Sequence, residues 1–147
     1  MTRINANIKP GDLCDEHLLA EYREIIRIPN VVRKNITYNL NRKLPTEFKL
    51  GNGHVLYFYD KIKFLHNRFN NLKQELNFRG YETTIDDSMF LYDDLKPFYN
   101  DADLTGGNAI ICERIIERVQ GMKHIKFNKK ITTKDQYIFY IKNKYLK

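Results

Sequence analysis

The strongest constraint on the fold is a run of apolar residues at helical spacing in the middle of the chain. Between the Gly51-Asn52-Gly53 breaker and Gly80, apolar side chains recur every three or four residues: Val55, Phe58, Tyr59, Ile62, Leu65, Phe69, Leu72 and Leu76. This spacing predicts one long helix from His54 to Arg79, with Gly80 as the glycine that ends it. Its aromatic side chains are interpreted as core, and Lys61, Lys63, Arg68 and Lys73 as its solvated face.

The rest of the chain predicts a mainly α fold with about three principal helices and long loops. Asp12 or Asp15 can cap a first helix that runs to about Ile25. Pro29 follows and is expected to kink or end this helix. Val31 to Leu50 is interpreted as a short helix followed by a loop, and 82–103 as turns. Asn108 to Gln120 predicts a third helix, whereas Tyr137 to Ile141 fits a helix or a strand. No internal repeat is found, so 1–147 is expected to form one compact domain, with 131–147 as a candidate C-terminal extension.

Charge and cysteine content narrow the class of partner. The 147 residues carry 25 Lys and Arg against 18 Asp and Glu, a net charge of +7 that favours a nucleic-acid partner. The two cysteines lie far apart, which argues against a zinc cluster or a disulfide framework. No apolar run approaches the length of a membrane span. These features predict a cytoplasmic, intracellular monomer with no membrane partner.

A polar face on the first helix is the main candidate for chemistry. His17 and Glu24 point within about 20° of each other on an α-helix, and Arg27 lies about 60° further round, with Arg23 at the edge. An ordinary solvated face with helix-spaced ion pairs explains the same pattern. The start of the chain adds a second element, because removal of Met1 would leave Thr2 with a free α-amino group. Such an amine is partly neutral at physiological pH and therefore nucleophilic.

Several sequence strings together resemble one family of DNA-repair enzymes. These are the MTRIN start, HLLAEYREI with a downstream Arg and Pro, LGNGHVLYFYDKIKFLHNR, and a late basic and aromatic segment. They are similar to the pyrimidine-dimer DNA glycosylases of phages and algal viruses, also called the dimer-cleaving type of endonuclease V. The resemblance is dense over roughly the first 80 residues, weak from 82 to 105, and present again from Ala109 to Ile131.

The resemblance implies roles for particular residues. Thr2 would attack C1′ of the damaged nucleotide, and Glu24 would protonate the sugar oxygen, hold the imine and assist β-elimination. The remaining assignments are contacts to DNA around the lesion: Arg3, His17, Arg23, Arg27, Arg114, Arg118, and Lys126 and Lys129 of the late segment. The implied chemistry needs no cofactor and no metal, and the sequence has no metal-ligand spacing.

The expected function is therefore a glycosylase with abasic-site lyase activity, acting on cyclobutane pyrimidine dimers in double-stranded DNA. Two alternatives stay open. The family's late tryptophan-containing segment is represented here by His124 to Lys130, and the chain has no tryptophan, so the same chemistry on a different base lesion is one alternative. A catalytically silent DNA-binding protein with the same basic face is the other.

Overall fold

The structure is a computed structural model that describes residues 3–48, 54–102, 104 and 108–146, with the backbone alone at 54 and 108. Thr2 lies outside the described residues. The helices and strands are α1 (Asp15–Glu24), α2 (Arg27–Lys34), α3 (Ile36–Asn41), α4 (His54–Tyr57), α5 (Ile62–Phe78), α6 (Asn108–Gln120), β1 (Ile125–Phe127), β2 (Lys130–Thr132) and α7 (Lys134–Tyr145). Short 3₁₀ turns lie at Pro10–Asp12, Phe58–Asp60, Ser88–Phe90 and Asp93–Phe98. The predicted mainly α class is confirmed.

The predicted central helix is wrong in one respect, because it is broken at Lys61. α4 passes into the Phe58–Asp60 turn, Lys61 has non-helical backbone angles, and α5 starts at Ile62. Asn100 satisfies the backbone groups freed by this break: its side-chain amide donates to the Asp60 carbonyl at 2.9 Å, and its carbonyl accepts from the Phe64 amide at 3.3 Å. The loop that carries Asn100 therefore stabilises the break between α4 and α5.

The predicted end of α5 and its apolar face are confirmed. Gly80 has a φ of 88°, and the amides of Gly80 and Tyr81 donate to the carbonyls of Asn77 and Leu76, which is a Schellman motif. The side chains that face the core are fully buried: Phe58, Ile62, Leu65, Phe69, Leu72 and Leu76. Arg68 does not belong to the solvated face as predicted, because it is buried among these residues at 6% exposure.

The first helix ends within one residue of the predicted Ile25, but the role predicted for Pro29 is wrong. The first helix ends at Glu24, and Pro29 lies within the first turn of α2 instead of ending α1. A proline is compatible with this position because the first turn of a helix leaves its N–H groups without intrahelical partners. The segment expected to hold a short helix and a loop holds α2 and α3 before the chain becomes irregular at Arg42.

The C-terminal part consists of α6, a two-stranded antiparallel hairpin and α7. β1 pairs with β2 through Ile125–Thr132 and Phe127–Lys130, and the turn residues Asn128 and Lys129 have positive φ angles. The segment left open between helix and strand is helical. It is fixed to the Pro10–Asp12 turn, because the Asp12 side chain is bonded by three groups of α7: the hydroxyls of Tyr140 and Tyr145 and the Lys144 ammonium. Within the described residues, no helix combines the length and the apolar character needed to cross a membrane.

Candidate active site

A cleft of about 610 Å³ lies between α1, α6 and the N-terminal segment. Its walls combine arginines, carboxylates and a histidine: Arg3, Asn5, Glu16, His17, Ala20, Glu21, Glu24, Arg114, Glu117, Arg118, Gly121 and Met122. α1 supplies the positions 17, 20, 21 and 24, which share one face of a helix. Two residues of the polar face predicted on the first helix, His17 and Glu24, therefore lie in the wall of a cleft.

The cleft brings together residues that are far apart in the sequence. Arg3, His17 and Glu24 line it with Arg114 and Arg118, so five of the predicted site residues share one cavity. Arg3 follows Thr2, the predicted nucleophile, in the sequence.

The other predicted residues lie outside the lining. Arg23 is exposed, and the Arg27 guanidinium is 3.6 Å from the Glu24 carboxylate. The Lys126 amide donates to the Glu16 carboxylate at 3.1 Å, which attaches β1 to the rim of the cleft. The Lys129 ammonium donates to the Gly80 carbonyl at 2.8 Å and lies over the ring of Tyr81, so it is bound within the protein.

His17 is an unusual member of the cleft wall, because it is buried and both ring nitrogens lack a hydrogen-bond partner among the described residues. Burial, followed by the positive charges of Arg118 and Arg3, lowers the pKa of His17 to about 3. The imidazole is therefore neutral at physiological pH. The ring can donate a hydrogen bond to a bound molecule, or accept one from it, without adding positive charge to the cleft.

The arginines of the cleft repel one another. Burial lowers the pKa of Arg118 to about 10, and the charges of Arg3 and Arg114 contribute to the same shift. Arg118 still carries its charge at neutral pH. Its terminal nitrogen donates to the Asn5 side-chain oxygen at 2.7 Å, whereas its buried Nε has no partner in the described part of the chain. A concentration of positive charge with an unused donor suits an anionic group such as a phosphate.

The sequence was compared with protein-family models. The model described as "Pyrimidine dimer DNA glycosylase" matches residues 1–89, which is more than half of the chain. The chain belongs to the pyrimidine dimer DNA glycosylase family. It is thus a DNA-repair glycosylase, an enzyme that acts on DNA. The predicted family is confirmed.

The residues that match the family model line only part of the cleft of this glycosylase. Arg3, His17 and Glu24 lie within residues 1–89, whereas Arg114 and Arg118 of α6 lie outside them. The two sets meet at the Asn5 side chain, which accepts a hydrogen bond from Arg118. The part of the glycosylase beyond the match therefore completes the cleft.

The sequence interpretation missed the buried ion pair between Glu21, which lines the cleft, and Arg68. Glu21 is 1% exposed and accepts two hydrogen bonds from the Arg68 guanidinium, at 2.7 and 3.1 Å. A signal for Arg68 was available, because Leu65, Arg68 and Leu72 share the helical spacing of the core face. A charged residue at a core position implies a buried partner.

Proposed function

We propose that this glycosylase is bifunctional: it excises cyclobutane pyrimidine dimers from double-stranded DNA and then cuts the strand at the resulting abasic site. The observation that carries the proposal is the shared cleft, in which the residue next to Thr2 lies with the Glu24 carboxylate, a neutral imidazole and two arginines from α6. This set of groups matches what attack by an amine at C1′ requires.

The nucleophile in this proposal is the α-amino group of Thr2 after removal of Met1. Its nitrogen bonds to C1′, the glycosidic bond breaks, and the base leaves with the electron pair and takes up a proton. The C1′–O4′ bond then opens to give a protonated imine, with Glu24 donating the proton to O4′. An α-amino group suits this role because its ordinary pKa of about 7.7–8.0 leaves part of it neutral at physiological pH.

Strand cleavage follows from the same intermediate. The imine acidifies the hydrogens on C2′, so loss of one proton and departure of the 3′ phosphate from C3′ break the strand by β-elimination. Glu24, now a carboxylate, is placed in the proposal to accept a proton, and water then releases the enzyme from the imine. General acid and base steps of this kind contribute about 10²–10⁴-fold to a rate.

The arginines are proposed to hold the phosphates on either side of the lesion. Arg3, Arg114 and Arg118 act inside the cleft, and Arg23 and Arg27 act on its outer side, while Lys126 adds charge near its rim. The neutral His17 ring is proposed to bond to the sugar or phosphate, since an uncharged ring there avoids further repulsion among the arginines. We expect a monomer that works inside the cell.

A dimer is a suitable substrate for such an enzyme because it weakens local base pairing and lowers the cost of displacing a nucleotide. The absence of tryptophan in the chain favours one second candidate, the same chemistry on another base lesion. In that case the substrate range would differ while the cleft chemistry stayed the same.

The test uses three duplexes of one sequence that carry a cyclobutane dimer, an abasic site or no damage. The proposal expects cleavage of one glycosidic bond and of the strand at the dimer, strand cleavage at the abasic site and neither on intact DNA. Cleavage at the abasic site without activity on the dimer points to a different lesion, which a panel of damaged bases would identify. Binding to all three without any product would contradict the enzymatic proposal.

A further inference from the structure

Two buried arginines, Arg68 in α5 and Arg79 directly after it, anchor this part of the fold, and Arg68 is joined to the cleft through a chain of hydrogen bonds. Arg68 donates to both oxygens of Glu21, through Nε at 2.7 Å and a terminal nitrogen at 3.1 Å. Both side chains are almost fully buried, at 6% and 1% exposure. A buried pair of this geometry is held in one arrangement, because any other would leave a charge without a partner.

This pair holds the N-terminal segment as well as α1. Asn5 donates to Glu21 Oε1 from its backbone amide at 3.1 Å and from its side-chain amide at 2.9 Å. Arg68 also donates to the Ile8 carbonyl at 2.6 Å and to the Ala6 carbonyl at 3.4 Å. The backbone from Asn5 to Ile8 is therefore fixed at both ends. Thr2 lies three residues before Asn5 in the sequence.

The Asn5 side chain extends the network into the cleft. Its nitrogen donates to Glu21 and its oxygen accepts from Arg118 at 2.7 Å, so one amide group links the buried carboxylate to a cleft arginine. The orientation of that amide is determined by its two neighbours, since a flipped amide would face Glu21 with an oxygen and Arg118 with a nitrogen.

We infer that Arg68, Glu21 and Asn5 are positioning residues that fix the N-terminal amine and the Arg118 guanidinium relative to each other. The inference rests on the proposed function, in which that amine attacks C1′. It assigns no contact with DNA to the three residues. Their effect is geometric, because a misplacement of about 1 Å in a reacting group can cost about 10²-fold in rate.

The second buried arginine, Arg79, provides a matched control. Arg79 binds Asp15 of α1 at 2.7 Å and the carbonyls of Leu13, Gly11 and Pro10 at 2.8, 3.1 and 3.3 Å. Asp15 then accepts from the hairpin amides of Asn128 and Lys129 instead of from a residue of the cleft. Both arginines are buried and bind a carboxylate of α1, but among the described residues only the Arg68 anchor reaches the backbone from Asn5 to Ile8 and Arg118.

The experiment compares Arg68→Lys with Arg79→Lys in the full chain. Enzyme in excess is mixed with a duplex that contains a preformed abasic site, and borohydride added at timed intervals traps the imine. We expect Arg68→Lys to form the imine about tenfold or more slowly, with DNA dissociation constants within about twofold of wild type. Arg79→Lys is expected to keep the wild-type rate at a comparable loss of melting temperature.

Asn5→Ala provides a second variant that leaves the Arg68–Glu21 pair in place, with Asn7→Ala as its control. The Asn7 amide lies in the same segment but donates to the Leu104 carbonyl at 2.7 Å. Slower imine formation in Asn5→Ala but not in Asn7→Ala supports the inference even where Arg68→Lys fails to fold. Wild-type rates in Asn5→Ala would overturn it, as would equal losses in Arg68→Lys and Arg79→Lys. A wild-type enzyme that forms no imine would instead overturn the proposed function.

Discussion

Residues 1–89 and residues 108–146 contribute to the cleft in different ways. The first region supplies the carboxylate and the imidazole from one face of α1, together with Arg3 of the N-terminal segment. The second supplies Arg114 and Arg118 from α6 and the hairpin that is bonded to Glu16. The family match covers the first region and stops before the second.

This difference assigns bond breaking to the first region alone, whereas arginines of both regions are proposed to hold the substrate. In the proposed mechanism the first region carries the groups that exchange protons and electrons with the sugar. The second carries positive charge that needs only to reach phosphates, a requirement that many arrangements of arginine satisfy. A sequence pattern is therefore expected to be tighter in the first region than in the second.

The largest expected effect belongs to the first region. Glu24→Gln should lower strand cleavage at an abasic site by about 10²-fold or more, because the amide cannot exchange the required protons. Binding to the same duplex should change little, since the substitution is nearly isosteric. Single-turnover cleavage and equilibrium binding measure the two quantities separately.

Glu117→Gln is the control, since Glu117 lines the same cleft from α6. Its loss of charge should leave cleavage within about threefold of wild type. Equal losses in the two variants would mean that the overall charge of the cleft matters rather than the position of Glu24.

A second prediction measures the coupling between the two regions through the pKa of His17. Burial is the main cause of its low pKa, and the charge of Arg118 is the next. Arg118→Gln should therefore raise the pKa of His17 from about 3 toward its ordinary value of 6.5, whereas Arg114→Gln should not. NMR titration of the imidazole measures both.

The same group makes stability depend on pH. Because folding lowers this pKa, the unfolded chain binds more protons, and stability falls as the pH drops from about 6.5 toward 3. Arg118→Gln should make that fall shallower in melting experiments. An unchanged titration in Arg118→Gln would show that the two regions are not coupled at this point.

The smallest expected effect concerns phosphate contacts of the second region. Arg114→Ala should reduce the slope of log affinity against log salt by about 0.9 on intact duplex DNA, which corresponds to one lost phosphate contact. Arg33→Ala is the matched control, because Arg33 is paired with Asp94 and lies over the ring of Tyr92. A slope that changes in Arg33→Ala but not in Arg114→Ala would place the DNA on another face.

Local signals in the sequence predicted much of this architecture. The apolar spacing from Ile62 to Leu76, the glycine that follows this helix and the shared face of His17 and Glu24 each depend on residues in or next to one helix. Each of these features is present in the structure.

Features that depend on distant partners were missed. The break at Lys61 is stabilised by Asn100, and the buried position of Arg68 is stabilised by Glu21 and by carbonyls of the N-terminal segment. The hairpin is held by Asp15, which lies more than a hundred residues earlier in the chain. The spacing of Leu65, Arg68 and Leu72 indicates a core position for Arg68, but no spacing identifies the partners in these contacts, because each joins one residue to another across the fold.

The central claim is that the α-amino group of Thr2 is the nucleophile. Its most direct test is to trap the enzyme on abasic-site DNA with borohydride and to locate the DNA adduct by peptide mass analysis. We expect the adduct on the amine of Thr2 in chains that have lost Met1, and no trapping after reductive methylation of the N-terminus alone. An adduct on a lysine, or full trapping after that methylation, would contradict the account.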